Sequence, residues 1–277
     1  VYLANRGLYE SFLREFSDDE LWIFSLNHDL NIEMICVDAK LPISFGADDT
    51  ESFPYSNLSF EKRLCFDETD SSITNPEQLY FIKAAQGINL IKLHGGLNEY
   101  WYGDDQSKAK SSLFISLKDC KNSAEYMSLI DTLLHADHYY INGFPVRIQN
   151  EITISDDHGI LQFLRPSILT GGHKYHRQLQ DIKHEEKMSL FSNCLKKIDE
   201  LYIIGYGFGD AHINYRIEHA MHLNDKMKVI TVSPGGGKHS GFEPFDYNLR
   251  VRGVKSGFAE ASEFMLYGKW NPKIKDQ

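Results

Sequence analysis

The chain has 277 residues, of which 42% are hydrophobic and 25% charged, and its formal net charge at pH 7 is −10. This composition is typical of a globular protein with a sizeable core, and the negative charge disfavours non-specific binding to nucleic acid. No apolar run approaches the length of about 18 residues that a membrane-spanning helix needs. Residues 1–7 lack the pattern of a secretion signal. We therefore expect a cytoplasmic protein that binds neither membranes nor nucleic acid directly.

The four cysteines, Cys36, Cys65, Cys120 and Cys194, are far apart in the sequence, and no two of them have C-x-x-C spacing. This spacing does not favour a zinc ribbon. We interpret them as reduced and mostly buried thiols, and we expect no zinc site.

The first third of the chain alternates between helical and strand-like patterns. Apolar residues with helical spacing in residues 9–16 lead into an apolar run at residues 21–24, which is short enough for one buried strand. The elements predicted after this strand are a short helix at 30–37, loops and short strands over 42–70, and a helix over 76–86 that ends at Gly87.

Four further apolar runs follow, and each ends in polar residues, glycine or proline. The predicted strands are residues 88–93, 160–165, 201–204 and 229–233. Between them the patterns predict a helix at 123–138, a hairpin at 141–154 and a long amphipathic helix at 175–198. Strands that alternate with helices indicate an α/β fold with a doubly wound, mostly parallel sheet. We expect one domain over residues 1–277, with a mainly helical insertion at about residues 103–160.

Polar residues and glycines follow the predicted strands at the points where a ligand site forms in such a fold. Ser25, Asn27 and Asp29 come directly after the first strand. His94 ends the second strand and is followed by two glycines. The carboxyl ends of parallel strands face a common crevice in which ligands bind, so we expect these side chains to line one site.

Each of these features also has a plain structural explanation. An asparagine after a strand is usually a turn residue, and a lone histidine before two glycines is more often structural. Asp210 can cap a helix that begins near Ala211. The three alternating glycines from Gly205 to Gly209 do not match the dinucleotide-binding fingerprint. Only the occurrence of all the strand ends together favours a site.

Together, four of these stretches resemble the SIR2-like fold of sirtuins, and more closely the SIR2-like NAD-cleaving domains of bacterial antiphage defence systems. Ser25-Leu-Asn-His-Asp29 is similar to the family's T-x-N-x-D element, and Lys92-Leu-His-Gly-Gly96 is similar to K-L-H-G-S. Arg165-Pro-Ser-Ile-Leu looks like R-P-x-hydrophobic, and the stretch 204–214 resembles G-[YF]-[SG]-F-x-D-x-H-[IL]-N. The resemblance covers residues 21–234 and leaves the insertion unmatched.

The resemblance implies a Rossmann-like SIR2 fold that hydrolyses NAD to nicotinamide and ADP-ribose. It gives catalytic roles to Asn27, which would hold a water or a ribose hydroxyl, and to His94, which would act as a base. It also implies a homo-oligomer, or a complex with a protein that triggers activity. The residues that it places against NAD are Ser25, Asp29, Gly95, Gly205, Tyr206, Gly207, Asp210 and Ser233.

Two departures from the family pattern leave an alternative function open. No G-A-G-x-S loop precedes Trp22, and the chain begins with Val1, so either the natural start lies upstream or the phosphate-binding loop is lost. The alternative is a non-catalytic module that binds a nucleotide such as NAD or ADP-ribose, or acts as a scaffold in a larger complex. The absent zinc cysteines, and Leu26 where deacetylases carry glutamine, disfavour protein deacylation.

Overall fold

The computed structural model describes residues 6–7, 20–54, 63–70, 72–102, 111–134, 138–141, 144–147, 152–155, 157–158, 161–168, 182–233 and 250–255. These residues divide into two compact units, one between Ser17 and Lys187 and one that begins at Met188 and includes residues 6–7. The helix predicted at 9–16 and the first part of the helix predicted at 175–198 lie outside the described residues.

The described elements are defined as follows. The longer α-helices among the described residues are α1 (Asn31–Ala39), α2 (Ser123–Leu134), α3 (Ile182–Leu195) and α4 (Ala211–Leu223). The strands are β1 (Glu20–Ser25), β2 (Ile43–Ser44), β3 (Asp49–Pro54), β4 (Arg63–Asp70), β5 (Gly87–Lys92), β6 (Glu99–Tyr102), β7 (Ser111–Ile115), β8 (His138–Ile141), β9 (Phe144–Arg147), β10 (Ile152–Ser155), β11 (Leu161–Pro166), β12 (Glu200–Ile204), β13 (Lys228–Ser233) and β14 (Val251–Lys255).

A three-stranded parallel sheet in the first unit has β5 at its centre, between β1 and β2. Every residue of β5 is buried, which agrees with its nearly continuous apolar sequence, because a central parallel strand is covered on both faces. The register pairs Ser25 with Lys92 at the carboxyl ends of β1 and β5. The polar residues that follow these two strands therefore emerge at the same edge of the sheet, as predicted.

The first unit also contains a six-stranded sheet that was not predicted, with strand order β10-β11-β6-β7-β4-β3 and antiparallel pairing. Between residues 103 and 160 the described part holds the strands β7 to β10 and one helix, α2, so the prediction of a mainly helical insertion was wrong for it. The predicted hairpin is shifted, because β8 pairs with β9 whereas β10 pairs with β11. These pairings join distant segments, which local periodicity does not report.

The helix predicted at residues 76–86 was wrong, for a reason visible in the side chain of Asn89. Only Pro76–Gln78 is helical, as one 3₁₀ turn capped by Asn75. The buried amide of Asn89 receives the backbone N–H of Ile82 at 2.8 Å and donates to its carbonyl at 2.9 Å. These are the groups that a continuing helix would pair internally, so a tertiary contact replaces the helix with extended chain.

The second unit contains a parallel sheet in which β13 lies between β12 and β14. Helix α4 follows β12 and buries Ile213, Ile217 and Met221 on one face, the spacing expected of an amphipathic helix. The two parallel sheets and their helices make the chain an α/β protein, as predicted. Across the described ranges, no helix combines the length and apolar character that crossing a membrane requires.

Candidate functional site

The ends of β1 and β5 continue into two segments that are hydrogen-bonded to each other. We call residues 25–29 the asparagine loop and residues 93–97 the histidine turn. The backbone N–H of Leu93 donates to the carbonyl of Ser25 at 2.9 Å, and that of Leu97 donates to the carbonyl of His28 at 3.1 Å. The loop that carries Asn27 and the turn that carries His94 are therefore direct neighbours.

The asparagine loop is shaped by the two short polar side chains on either side of Asn27. The hydroxyl of Ser25 accepts a hydrogen bond from the backbone N–H of Asn27 at 3.1 Å. A carboxylate oxygen of Asp29 accepts from the backbone N–H of Asn31 at 3.0 Å, at the start of α1. A negative charge at this end of a helix also interacts favourably with the helix dipole. Asn27 itself is exposed, and its side-chain amide has no hydrogen-bond partner in the described part of the protein.

The histidine turn is held against the end of β11. His94 is only 5% exposed, and Gly95 follows it with a φ of +79°, in the left-handed region. A Cβ atom at Gly95 would lie 1.2 Å from the backbone oxygen of Ser167, which comes directly after β11. Only glycine fits this close approach. The third stretch of the resemblance, Arg165-Pro-Ser167, thus meets the second.

A buried ion pair lies beneath the two segments. The Lys92 ammonium is 2.6 Å from a carboxylate oxygen of Glu33 on α1, and the two side chains are 4% and 0% exposed. Burial raises the pKa of Glu33, and the charge of Lys92 opposes that shift. The same ammonium donates a hydrogen bond to the backbone carbonyl of Asp29. Lys92 therefore links β5, α1 and the asparagine loop.

A second ion pair supports the histidine turn from the side of β6. The ammonium of Lys187 lies 2.5 Å from a carboxylate oxygen of Glu99, which is almost fully buried. It also donates to the backbone carbonyl of Lys92 at 3.1 Å. The other carboxylate oxygen of Glu99 accepts from the hydroxyl of Ser167 at 3.2 Å. These contacts fix the ends of β5, β6 and β11 relative to one another.

Neither ion pair was predicted from the sequence, although the sequence holds a signal for the pair of Lys92 and Glu33. Lys92 interrupts the apolar run at residues 88–93, and Glu33 lies between Ile32 and Met34. Charged residues are almost never fully buried unless they are paired, so a lysine and a glutamate inside apolar segments indicate an ion pair. Nothing in the sequence says that these two are partners.

The glycine stretch in the second unit forms a tight turn between β12 and α4. Gly205 and Phe208 have φ angles of +69° and +53°. The hydroxyl oxygen of Tyr206 lies 2.9 Å from the side-chain oxygen of Asn214 and accepts from the backbone N–H of Asp210 at 3.2 Å. The turn is therefore closed by its own aromatic side chain.

Asp210 is the N-cap of α4, as one of its two predicted roles required. Its carboxylate accepts a hydrogen bond from the backbone N–H of His212 at 3.1 Å. Gly207 is exposed, and a Cβ atom there would meet no atom within 4 Å. Ser233 is buried at the carboxyl end of β13.

The structure thus groups the predicted site residues by unit. Ser25, Asn27, Asp29, His94 and Gly95 lie at one sheet edge of the first unit. In the second unit the turn after β12 and the end of β13 carry Gly205, Tyr206, Gly207, Asp210 and Ser233. Among the described residues, no group of three or more His, Cys, Asp or Glu side chains is placed to hold a metal ion.

No protein-family model matches the chain, and a search of curated proteins found no match.

Proposed function

We propose that the chain is a NAD hydrolase with a doubly wound SIR2-like fold, and that it cleaves the nicotinamide–ribose bond to give nicotinamide and ADP-ribose. The observation that carries the proposal is the direct hydrogen bonding of the asparagine loop to the histidine turn. The resemblance assigns catalysis to one residue in each segment, Asn27 and His94. Two sequence stretches that lie more than 60 residues apart thus supply one edge with both groups.

Asn27 is suited to hold the attacking water or a ribose hydroxyl. Hydrolysis of this bond passes through an oxocarbenium-like state, to which water adds on one face as nicotinamide departs with the bonding electron pair. A side-chain amide can donate and accept hydrogen bonds without changing its charge. The amide of Asn27 is exposed and has no protein partner among the described residues, so substrate or water can reach it.

His94 is suited to accept the proton that the reaction releases. An imidazole can act as a general base toward water or a ribose hydroxyl. The side chain is buried at the end of the central strand, and the backbone of its turn is fixed against Ser167. A base that is held in one place loses little entropy when it meets the substrate.

The remaining residues would orient NAD. One carboxylate oxygen of Asp29 receives the N–H of Asn31, and the carboxylate would accept from the nicotinamide carboxamide through its second oxygen. Gly205, Gly207 and Asp210 would let backbone and side chain approach the ribose and phosphates, and Ser233 would face the adenosine ribose. These roles are carried over from the family pattern at the matching positions.

A non-catalytic nucleotide-binding or scaffolding module is the second candidate, and the cap of α4 favours it. A helix N-terminus often binds phosphate, but here the carboxylate of Asp210 takes the N–H of His212 and places negative charge beside it. A module of this kind would bind NAD or ADP-ribose weakly or without turnover. Calorimetry with both ligands separates the two candidates, since binding without nicotinamide release supports the second.

A role in bacterial antiphage defence, a cytoplasmic location and assembly into an oligomer or a complex with a trigger protein belong to the same proposal. They rest on the family resemblance alone. Activity assays should therefore include the protein at several concentrations, because an enzyme that is active only as an oligomer gains specific activity as its subunits associate.

The test of the proposal is nicotinamide release from NAD by the full chain. We expect His94→Ala and Asn27→Ala each to reduce the rate by at least about 100-fold, because each removes a group that acts on the reacting atoms. His222→Ala is the matched control, since His222 is exposed in the last turn of α4, and it should leave the rate unchanged. Equal turnover in the wild type and both site variants would overturn the assignment.

A further inference from the structure

His28 makes a side-chain hydrogen bond that connects the asparagine loop to the histidine turn. Its ring atom Nδ1 lies 2.9 Å from the backbone oxygen of Gly95. A carbonyl oxygen can only accept, so Nδ1 carries a proton and donates it to this bond. His28 is half-buried, and its ring centroid lies 6.5 Å from that of His94, with 42° between the two ring planes.

The position of His28 in the chain gives this bond its significance. His28 directly follows Asn27, and Gly95 directly follows His94. The bond therefore joins the side chain of the residue that follows Asn27 to the backbone of the residue that follows His94. The backbone bond from Leu97 to the carbonyl of His28 also joins the loop to the turn, but only the side-chain bond of His28 reaches the carbonyl of Gly95, which belongs to the Gly95–Gly96 peptide.

Other contacts hold the N–H and the Cα of Gly95, so the imidazole of His28 is left to fix the direction of the Gly95 carbonyl. Its N–H donates to the carbonyl of Lys92 at 3.1 Å, and its Cα packs against the backbone of Ser167. The direction of its carbonyl depends on a left-handed φ of +79°. A donor placed opposite this oxygen keeps the Gly95–Gly96 peptide from rotating. It thereby holds the backbone of the histidine turn in place beside the asparagine loop.

We propose that His28 is a positioning residue, which sets the His94 turn against the Asn27 loop through the Nδ1–H to Gly95 carbonyl bond. The inference rests on the proposed NAD hydrolysis for its effect on rate. The bond itself is independent of that function, so its consequence for the backbone can be measured in the free protein.

Two substitutions of equal shape test the proposal. Asparagine carries its amide nitrogen on Cγ, where histidine carries Nδ1, so His28→Asn keeps a donor for the Gly95 carbonyl. Leucine has the same branching as asparagine but no donor. We expect His28→Leu to lower kcat for NAD hydrolysis by about 10- to 100-fold, with KM changed less than about threefold. His28→Asn should retain kcat within about threefold of the wild type.

Hydrogen exchange of the peptide covering residues 93–98 provides the readout that does not require activity. We expect this peptide to exchange faster in His28→Leu than in the wild type, and His28→Asn to restore protection. If exchange follows this pattern but the wild type releases no nicotinamide, the proposed function is wrong, whereas the positioning of the histidine turn by His28 is confirmed. If His28→Leu and His28→Asn lose kcat equally, or if His28→Leu exchanges like the wild type, the positioning role is overturned.

Discussion

Replacing Lys92 by methionine is expected to lower the free energy of unfolding by about 3–5 kcal/mol, because the buried carboxylate of Glu33 loses its counter-charge. The two groups are 2.6 Å apart and almost fully buried. The variant also loses the hydrogen bond from the Lys92 ammonium to the carbonyl of Asp29. Urea unfolding followed by tryptophan fluorescence measures the effect.

A double variant separates the charge from the packing. Lys92→Met combined with Glu33→Gln buries no net charge at this place, so we expect it to be more stable than Lys92→Met alone and within about 1–2 kcal/mol of the wild type. A double variant as unstable as the single one would show that the unpaired charge of Glu33 is not the cause.

The dependence on pH has a definite sign. Burial already raises the pKa of Glu33 in the native protein, and loss of Lys92 raises it further. A carboxyl whose folded pKa is raised contributes stability below its unfolded pKa and loses it as the pH rises through the folded pKa. The deficit of Lys92→Met relative to the wild type should therefore be smallest in acid and grow as the pH is raised.

Substituting Gly95 by alanine is expected to destabilise the protein by about 4 kcal/mol or more, a size that indicates a specific steric cause. The added Cβ would lie 1.2 Å from the backbone oxygen of Ser167, at a φ of +79°. A backbone atom cannot yield as a flexible side chain can, so the histidine turn and the end of β11 must separate. The loss should appear in denaturant unfolding.

Two other glycines provide matched controls for this prediction. Gly205 shares the positive φ, at +69°, but has no atom within 4 Å of an added Cβ, so Gly205→Ala should cost only about 1–2 kcal/mol of backbone strain. Gly207 has open space and no positive φ, and Gly207→Ala should change stability by less than about 1 kcal/mol. A Gly95→Ala variant no less stable than Gly205→Ala would contradict the close approach to Ser167.

The strands that bear the candidate site could be predicted because their signal is local. The apolar runs at residues 21–24 and 88–93 each end abruptly in a polar residue, Ser25 in the first case and His94 in the second. A parallel arrangement then requires the two ends to share an edge. The cap at Asp210 was equally local, since it depends on one side chain and the next two residues.

The parts that could not be predicted depend on contacts between distant residues. Helical spacing in residues 76–86 was real, but Asn89 and Glu20 take the backbone N–H groups of Ile82 and Ala84. The partners Glu33 and Lys92 are separated by β2 to β4 and most of β5. None of these contacts produces a periodic pattern in the sequence, and neither do the strand pairings of the antiparallel sheet.

The most direct test of the central claim is a crystal structure of the full chain soaked with ADP-ribose. We expect ADP-ribose at the carboxyl ends of β1 and β5, with a ribose oxygen at about 3 Å from both the Asn27 amide and the His94 imidazole. Clear density for the ligand at any other place, with the asparagine loop and the histidine turn left bare, would contradict it.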